Sequence, residues 1–251
     1  MEAFFACKKS ENLVTFDCIP AALQSGVIAF YPFNSGALTD ESLNANDLTN
    51  PTTAVPATDR NGNTDCAYQF DNSAGDNEFL TFANPTFLDN LNSFSISLWY
   101  MPMDSTRDGG NLEVLFGRDD DQIRCPDRRG QWSLGLYDCR RAVFGHDNSV
   151  WAELQSNPFT TCEDEVYLLT AQWHHFAAVK DGNDYFIYFN GNLEETESGA
   201  AGCNNQYLAQ DIGDLFLGKR YTGLIDDVLV YNRALGGQEV AELYSLASCC
   251  N

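Results

Sequence analysis

The chain has 251 residues and a net charge of −22, which repels phosphate backbones and anionic lipid and so excludes nucleic acid as a partner. Hydrophobic residues make up 44% and aromatics 13%, enough to fill the core of one large all-β domain at this length. No stretch reaches the roughly 20 apolar residues that a transmembrane helix needs.

Residues 1–25 read as an N-terminal anchor or linker, and residues 26–251 as one domain. Ala3-Phe-Phe-Ala6 before Cys7 resembles the end of a bacterial lipoprotein signal, which makes Cys7 the candidate lipidation site, although no basic or apolar signal region precedes it. Cys18 and Pro20 suggest that the linker is tied down near its end.

From Val27 the chain alternates short strands with turn clusters. Gly26-Val-Ile-Ala-Phe-Tyr-Pro-Phe-Asn34 opens the series and leads into the acid- and amide-rich stretch Thr39–Asp47. Ala67–Phe70 and Phe79–Phe82 follow. Phe94–Tyr100 alternates strictly and puts Phe94, Ile96, Leu98 and Tyr100 on one face. Leu112–Phe116 and Trp132–Tyr137 continue the pattern. His174–Val179 and Tyr185–Phe189 flank Lys180-Asp-Gly-Asn-Asp184, a hairpin signal, and Asn190-Gly191 is a second tight turn. Leu215–Leu217 precedes the last strand, Gly223-Leu-Ile-Asp-Asp-Val-Leu-Val-Tyr231. Only Gly237–Leu246 reads as a helix, with Val240, Leu243 and Tyr244 at helical spacing. Short strands separated by turns predict a sandwich or barrel.

Nine cysteines without a Cys-x-x-Cys pair point to disulfides in an oxidising compartment. Setting Cys7 aside leaves Cys18, Cys66, Cys125, Cys139, Cys162, Cys203, Cys249 and Cys250, an even number. Cys125–Cys139 would close a local loop, and Cys162–Cys203 would bracket the Lys180 hairpin. Cys249 and Cys250 reach Cys18 and Cys66 if the terminal strands are neighbours. No Asn-x-Ser/Thr acceptor occurs, which points to a bacterial source.

In chain order, several segments resemble the laminin-G-like, concanavalin A-like jelly-roll family. They are Val27–Phe33 with Asp40–Asn44, Asp59-Arg-Asn-Gly62 with Ala67–Asp71, Phe94–Trp99, Gln172–Val179, Tyr188–Gly191 and Ile225–Leu235. The resemblance implies an all-β, two-sheet antiparallel jelly-roll sandwich with a short C-terminal helix. It also implies a structural calcium where the terminal strands meet, with Asp40, Asn44, Asn46, Asp226 and Asp227 at the matching positions. Calcium takes six to eight oxygens, which an Asp/Asn loop beside paired aspartates supplies. Ile225 and Val228 are apolar but three apart, so a bulge is expected at the aspartates.

The family includes laminarinase-type glucanases, which carry Glu-x-Asp-x-Glu on one strand face. No Glu here has an Asp two positions later, and Glu163-Asp-Glu165 has the wrong order. Neither Gly-x-Ser-x-Gly nor His-Glu-x-x-His occurs. The expectation is a non-catalytic surface or secreted module that binds carbohydrate. A structural, adhesion or accessory lipoprotein subunit with a protein partner in an outer-membrane transporter complex is one alternative, and a divergent glycoside hydrolase another. Residues 104–166 depart furthest from the family pattern. Trp132, Trp151, Arg124, Arg128 and Asp119 are the ligand candidates there, with loop 198–211 as a second region.

Overall fold

The computed structural model describes residues 17–75, 78–103, 112–119, 123–124, 128–129, 132–137, 141–146, 151–153, 171–198 and 213–250. Its strands, in chain order, are β1 (Val27–Tyr31), β2 (Val55–Ala57), β3 (Ala67–Phe70), β4 (Leu80–Phe82), β5 (Ser93–Pro102), β6 (Glu113–Asp119), β7 (Ile123–Arg124) and β8 (Arg128–Arg129). They continue with β9 (Trp132–Tyr137), β10 (Arg141–His146), β11 (Trp151–Glu153), β12 (His174–Asp181), β13 (Asp184–Phe189), β14 (Asn192–Ser198), β15 (Asp214–Leu217) and β16 (Gly223–Tyr231). One helix, α1 (Gly237–Ser245), follows.

The first sheet has the order β14-β13-β12-β5-β16-β3-β2, with β1 also paired to β16. The second has the order β11-β10-β9-β6-β15-β4, and β7 and β8 form a separate ribbon. The expected two-sheet antiparallel sandwich with one short C-terminal helix is the fold observed. Alternation in β5 explains the layers: Phe94, Ile96, Leu98 and Tyr100 are buried in the core between the sheets. Ser95, Ser97 and Trp99 point to the opposite face.

That opposite face is largely covered. Ile19 and Leu23 from the N-terminal segment, and Val240, Leu243 and Cys249 from the C-terminal one, pack on Phe30, Ala177, Tyr188 and Leu229. Burying Val240 and Leu243 contributes about 1.5–3 kcal/mol each, which fastens α1 to the sheet. Glu239 sets the start of the helix: its carboxylate accepts from Gly236 N (2.8 Å) and pairs with Arg233 at 2.7 Å. Small Ser95 leaves room for the turn before the helix, and its hydroxyl bridges Arg233 O and Leu235 N. Residues from Asp17 onward therefore join the domain, consistent with a linker tied down at Cys18.

The sheet edges are guarded. β14 carries Glu194, Glu195 and Glu197, whose charges discourage pairing with another chain. At the opposite edge, β2 carries Pro56. No helix among the described residues is long and apolar enough to cross a membrane.

Candidate functional site

Strand β16 changes partners midway. Gly223–Ile225 pair with β3, and Val228–Tyr231 pair with β1, so β1 and β3 lie end to end along it. The expected bulge sits at this changeover, between Asp226 and Leu229, which face Trp99 and Ser97 of β5. Asp227 takes a left-handed conformation (φ 44°), which aspartate tolerates better than a branched residue. Ile225 and Val228 both reach the core, while the two aspartates stay on the α1 side.

Arg60 binds the pair. Its Nη1 lies 2.6 Å from Asp226 Oδ2 and 2.7 Å from Asp227 Oδ2. Its guanidinium carbon stands 4.5 Å over the Trp99 ring, and Nη2 donates to Leu246 O at 3.4 Å. Asp227 also accepts from Cys249 N at 3.0 Å. Burial pushes the Asp226 carboxyl well above the usual range; the Asp227 charge adds to the push, and Arg60 opposes it. Burial likewise raises Asp227, against the pull of Arg60 and Cys249 N–H. On the next strand, His175 Nε2 and Ser97 Oγ are 2.8 Å apart. Burial, then the charge of Arg60, pushes this imidazole down to about 3.

Residues 246–250 form a strap over this cluster. Disulfides Cys18–Cys249 and Cys66–Cys250 hold it, so the expectation that the terminal cysteines reach Cys18 and Cys66 is met. Ser248 donates to Asp59 Oδ2. Burial raises the Asp59 carboxyl, but hydrogen bonds from Ser248, Asn63 and Asn61 outweigh it and hold the group low. A small cavity remains under the strap, lined by Ile19, Arg60, Trp99, Asp227, Leu243 and Leu246. Asp226 is 0% and Asp227 5% exposed, so these carboxylates are not arranged to reach a substrate.

The five residues expected around calcium form two groups. Asp40 is the hub of its loop: Oδ1 accepts from Phe30 N and Ser42 N (both 2.9 Å), and Oδ2 accepts from Asn46 N at 3.1 Å. The Asn44 and Asn46 amides donate to Ile28 O. This loop thus ties down the free edge of β1, while Asp226 and Asp227 hold Arg60. Among the described residues, no group of three or more His, Cys, Asp or Glu side chains is spaced to hold a metal ion. As arranged, the donors do not fit one calcium site, because the positive charge at the aspartates is a guanidinium.

The ligand candidates divide differently from expectation. Trp132 is no surface ring: it is 3% exposed, with its ring 5.0 Å from Phe94 and 6.0 Å from Phe116 in the core. Alternation from its Arg118 partner position turns it inward. Asp119 is 4% exposed and pairs with Lys219 at 3.1 Å, so a lysine from a distant turn neutralises it. Lys219 Nζ also stands 4.0 Å over Phe216. Arg124 and Arg128 occupy facing positions in the β7–β8 ribbon. Trp151 sits opposite Gly145, at the end of a register row through Ser133, Gly117 and Phe216. Cys7, Cys125, Cys139, Cys162 and Cys203, and loop 199–211, lie outside the described residues. Trp99 is half-buried on the α1 face between Arg60 and Tyr244.

Sequence reasoning missed Arg60 and Lys219. Arg60 lay within a quoted motif, yet no local signal marked a partner 166 positions away.

A family model described as the concanavalin A-like lectin/glucanases superfamily matches residues 73–241. No curated protein shows significant sequence similarity to the chain. Solved structures share its fold. Domain 4 of AbnA, a GH43 extracellular arabinanase from Geobacillus stearothermophilus in complex with arabinotriose, aligns with TM-score 0.60 at 20% identity, covering 87% of this chain and 98% of that one. The binding domain of Paraclostridial Mosquitocidal Protein 1 aligns with TM-score 0.66 at 17% identity, covering 88% and 52%. The binding domain of botulinum neurotoxin DC in complex with SialylT aligns with TM-score 0.62 at 14% identity, covering 88% and 52%. The chain thus spans about half the length of these toxin domains.

Proposed function

This chain belongs to the concanavalin A-like lectin/glucanase superfamily, and on that premise we propose that it is an extracellular, non-catalytic module that binds carbohydrate. One observation carries the reading: the sandwich aligns over nearly the whole of an arabinanase domain solved with arabinotriose. Two disulfides between distant segments support an oxidising, extracellular setting. The enclosure of Asp226 and Asp227 by Arg60 supports binding over hydrolysis. A glycan array tests the reading: binding to immobilised oligosaccharides without their cleavage supports it, and silence across the array rejects it.

A second reading has its own support. A botulinum neurotoxin DC binding domain of the same fold was solved with rat synaptotagmin II, a protein partner. Under it the chain is an adhesion or accessory subunit, including one anchored through Cys7 beside an outer-membrane transporter. Co-purification of a defined membrane complex with a silent array favours this alternative.

Calcium remains a separate proposal. An ion at Asp226 and Asp227 would have to displace Arg60, and Asp40, Asn44 and Asn46 offer one carboxylate and two amides toward the six to eight oxygens required. A fall in melting temperature on chelation supports a bound ion; an unchanged value assigns the clip to Arg60.

A further inference from the structure

Tyr137 and Tyr244 are the exposed aromatic rings among the described residues, at 38% and 40% exposure. Tyr137 ends strand β9. Tyr244 is built in. One face stacks on Trp99, with centroids 5.5 Å apart and planes 20° from parallel. Trp99 in turn carries Arg60, which the two buried aspartates clamp. His175 stands 5.9 Å from the Tyr244 ring. An edge of the tyrosine rests on the Asn190-Gly191 turn between β13 and β14. A Cβ at Gly191 would lie 2.9 Å from Tyr244 Cδ1, so the close approach requires glycine. The ring is therefore both exposed and immobilised.

Its surroundings select among occupants. Leu193 is 53% exposed and pairs in register with Tyr188, which places it on the α1 face. α1 packs against β14, bringing Leu193 and Tyr244 to one surface. Asn192 and Glu194 flank Leu193 along β14 and are exposed, and Ser245 follows Tyr244 on α1, exposed as well. A protein anchor wants a broad apolar centre with charge excluded. A sugar ring wants an aromatic face for its C–H side and amides or carboxylates for its hydroxyls. Glu194 on β14, within a chain of net charge −22, disfavours carboxylated sugars.

Resting on the carbohydrate reading above, we propose that Tyr244 is the stacking platform of a binding site for a neutral saccharide, formed by α1 and the β13–β14 turn. Rigid aromatic platforms lose little entropy when they bind, and here Trp99 and Gly191 supply the rigidity.

The test compares the wild-type chain with Tyr244→Ala, Tyr244→Phe and Leu193→Glu on an array of immobilised neutral and sialylated oligosaccharides. Melting temperatures serve as the folding control. Wild type binds neutral glycans, Tyr244→Phe retains binding, and Tyr244→Ala loses at least about tenfold, equivalent to 1.4 kcal/mol. Leu193→Glu alters only an exposed edge residue and carries the test if Tyr244→Ala unfolds; it too weakens binding. Neutral-glycan binding unchanged in both variants overturns the site and leaves the carbohydrate reading standing. Binding confined to sialylated glycans overturns the neutral class. No glycan binding by wild type overturns site and reading together.

Discussion

Arg60 is the residue on which the terminal seam turns. Two carboxylates share its guanidinium in a nearly sealed site. Removing one member of a buried ion cluster leaves charge uncompensated and costs about 3–5 kcal/mol. Arg60→Met should therefore lower stability in urea unfolding by that amount. The triple change Arg60→Met, Asp226→Asn, Asp227→Asn should recover much of it, because no charge stays stranded. Full recovery with wild-type Arg60 restored onto the double Asn background would show that the ion pairs add nothing. His175 gives a second prediction, in pH. Its folded-state value is pushed down to about 3 from the ordinary 6.5, so between these the unfolded chain binds a proton that the folded chain refuses. Stability then falls as pH drops from 6.5 toward 3. In His175→Gln that part of the acid sensitivity should vanish, read as a flatter melting temperature between pH 6.5 and 4. An unchanged slope would assign the acid loss to carboxylates alone. The aspartate pair and its bulge were legible because Ile225 and Val228 break alternation locally. Arg60 was not, because it joins the pair only through tertiary folding.

Strands were legible where one face is apolar. β5, β9, β12 and β13 alternate or carry aromatic runs, and their spans agree closely with expectation. β14 was missed because Asn192-Leu-Glu-Glu-Thr-Glu-Ser198 has an edge to defend and no apolar face to bury. β2 was missed because Pro56 argues against a strand everywhere except an edge. Lys180 reads as a turn residue but ends inside β12, its ammonium donating to Asn92 O and Gly182 O. The strap is the element whose role is most exposed to experiment. Each of its disulfides closes a long chain segment, spanning 231 and 184 positions. Loss of such a link typically costs about 2–5 kcal/mol. Cys249→Ser with Cys250→Ser should lower the melting temperature and expose the C-terminal tail to proteolysis before the sandwich unfolds. Equal protease resistance would mean that Leu243 and Val240 hold the strap without the cysteines. Gly191→Ala tests the turn: at φ +81° and with Tyr244 in the way, it should cost more than about 1 kcal/mol.

At the scale of the molecule, ordered motifs disclosed the architecture because they sit on the strands that build the first sheet. They were silent on ligand, because the same strands bury their motif residues in the core or under the strap. The chain instead carries a large excess of acid: 36 acidic residues against 14 basic ones. Like charges exposed to water repel in the compact state, and salt screens them over about 10 Å at 0.1 M. The Arg60 cluster is enclosed and escapes that screening. Raising NaCl from low salt to about 0.5 M should thus raise the melting temperature, since repulsion is screened while the buried ion pairs persist. The same titration isolates calcium. Calcium chloride matched to NaCl in ionic strength stabilises no further if screening is its only action. A further rise at matched ionic strength requires a site that binds the folded chain alone, and the gain then grows with the logarithm of calcium concentration above its dissociation constant. Arg60→Met sharpens the comparison, because it frees Asp226 and Asp227. If calcium stabilises the variant and not the wild type, the guanidinium occupies the place a cation would otherwise fill.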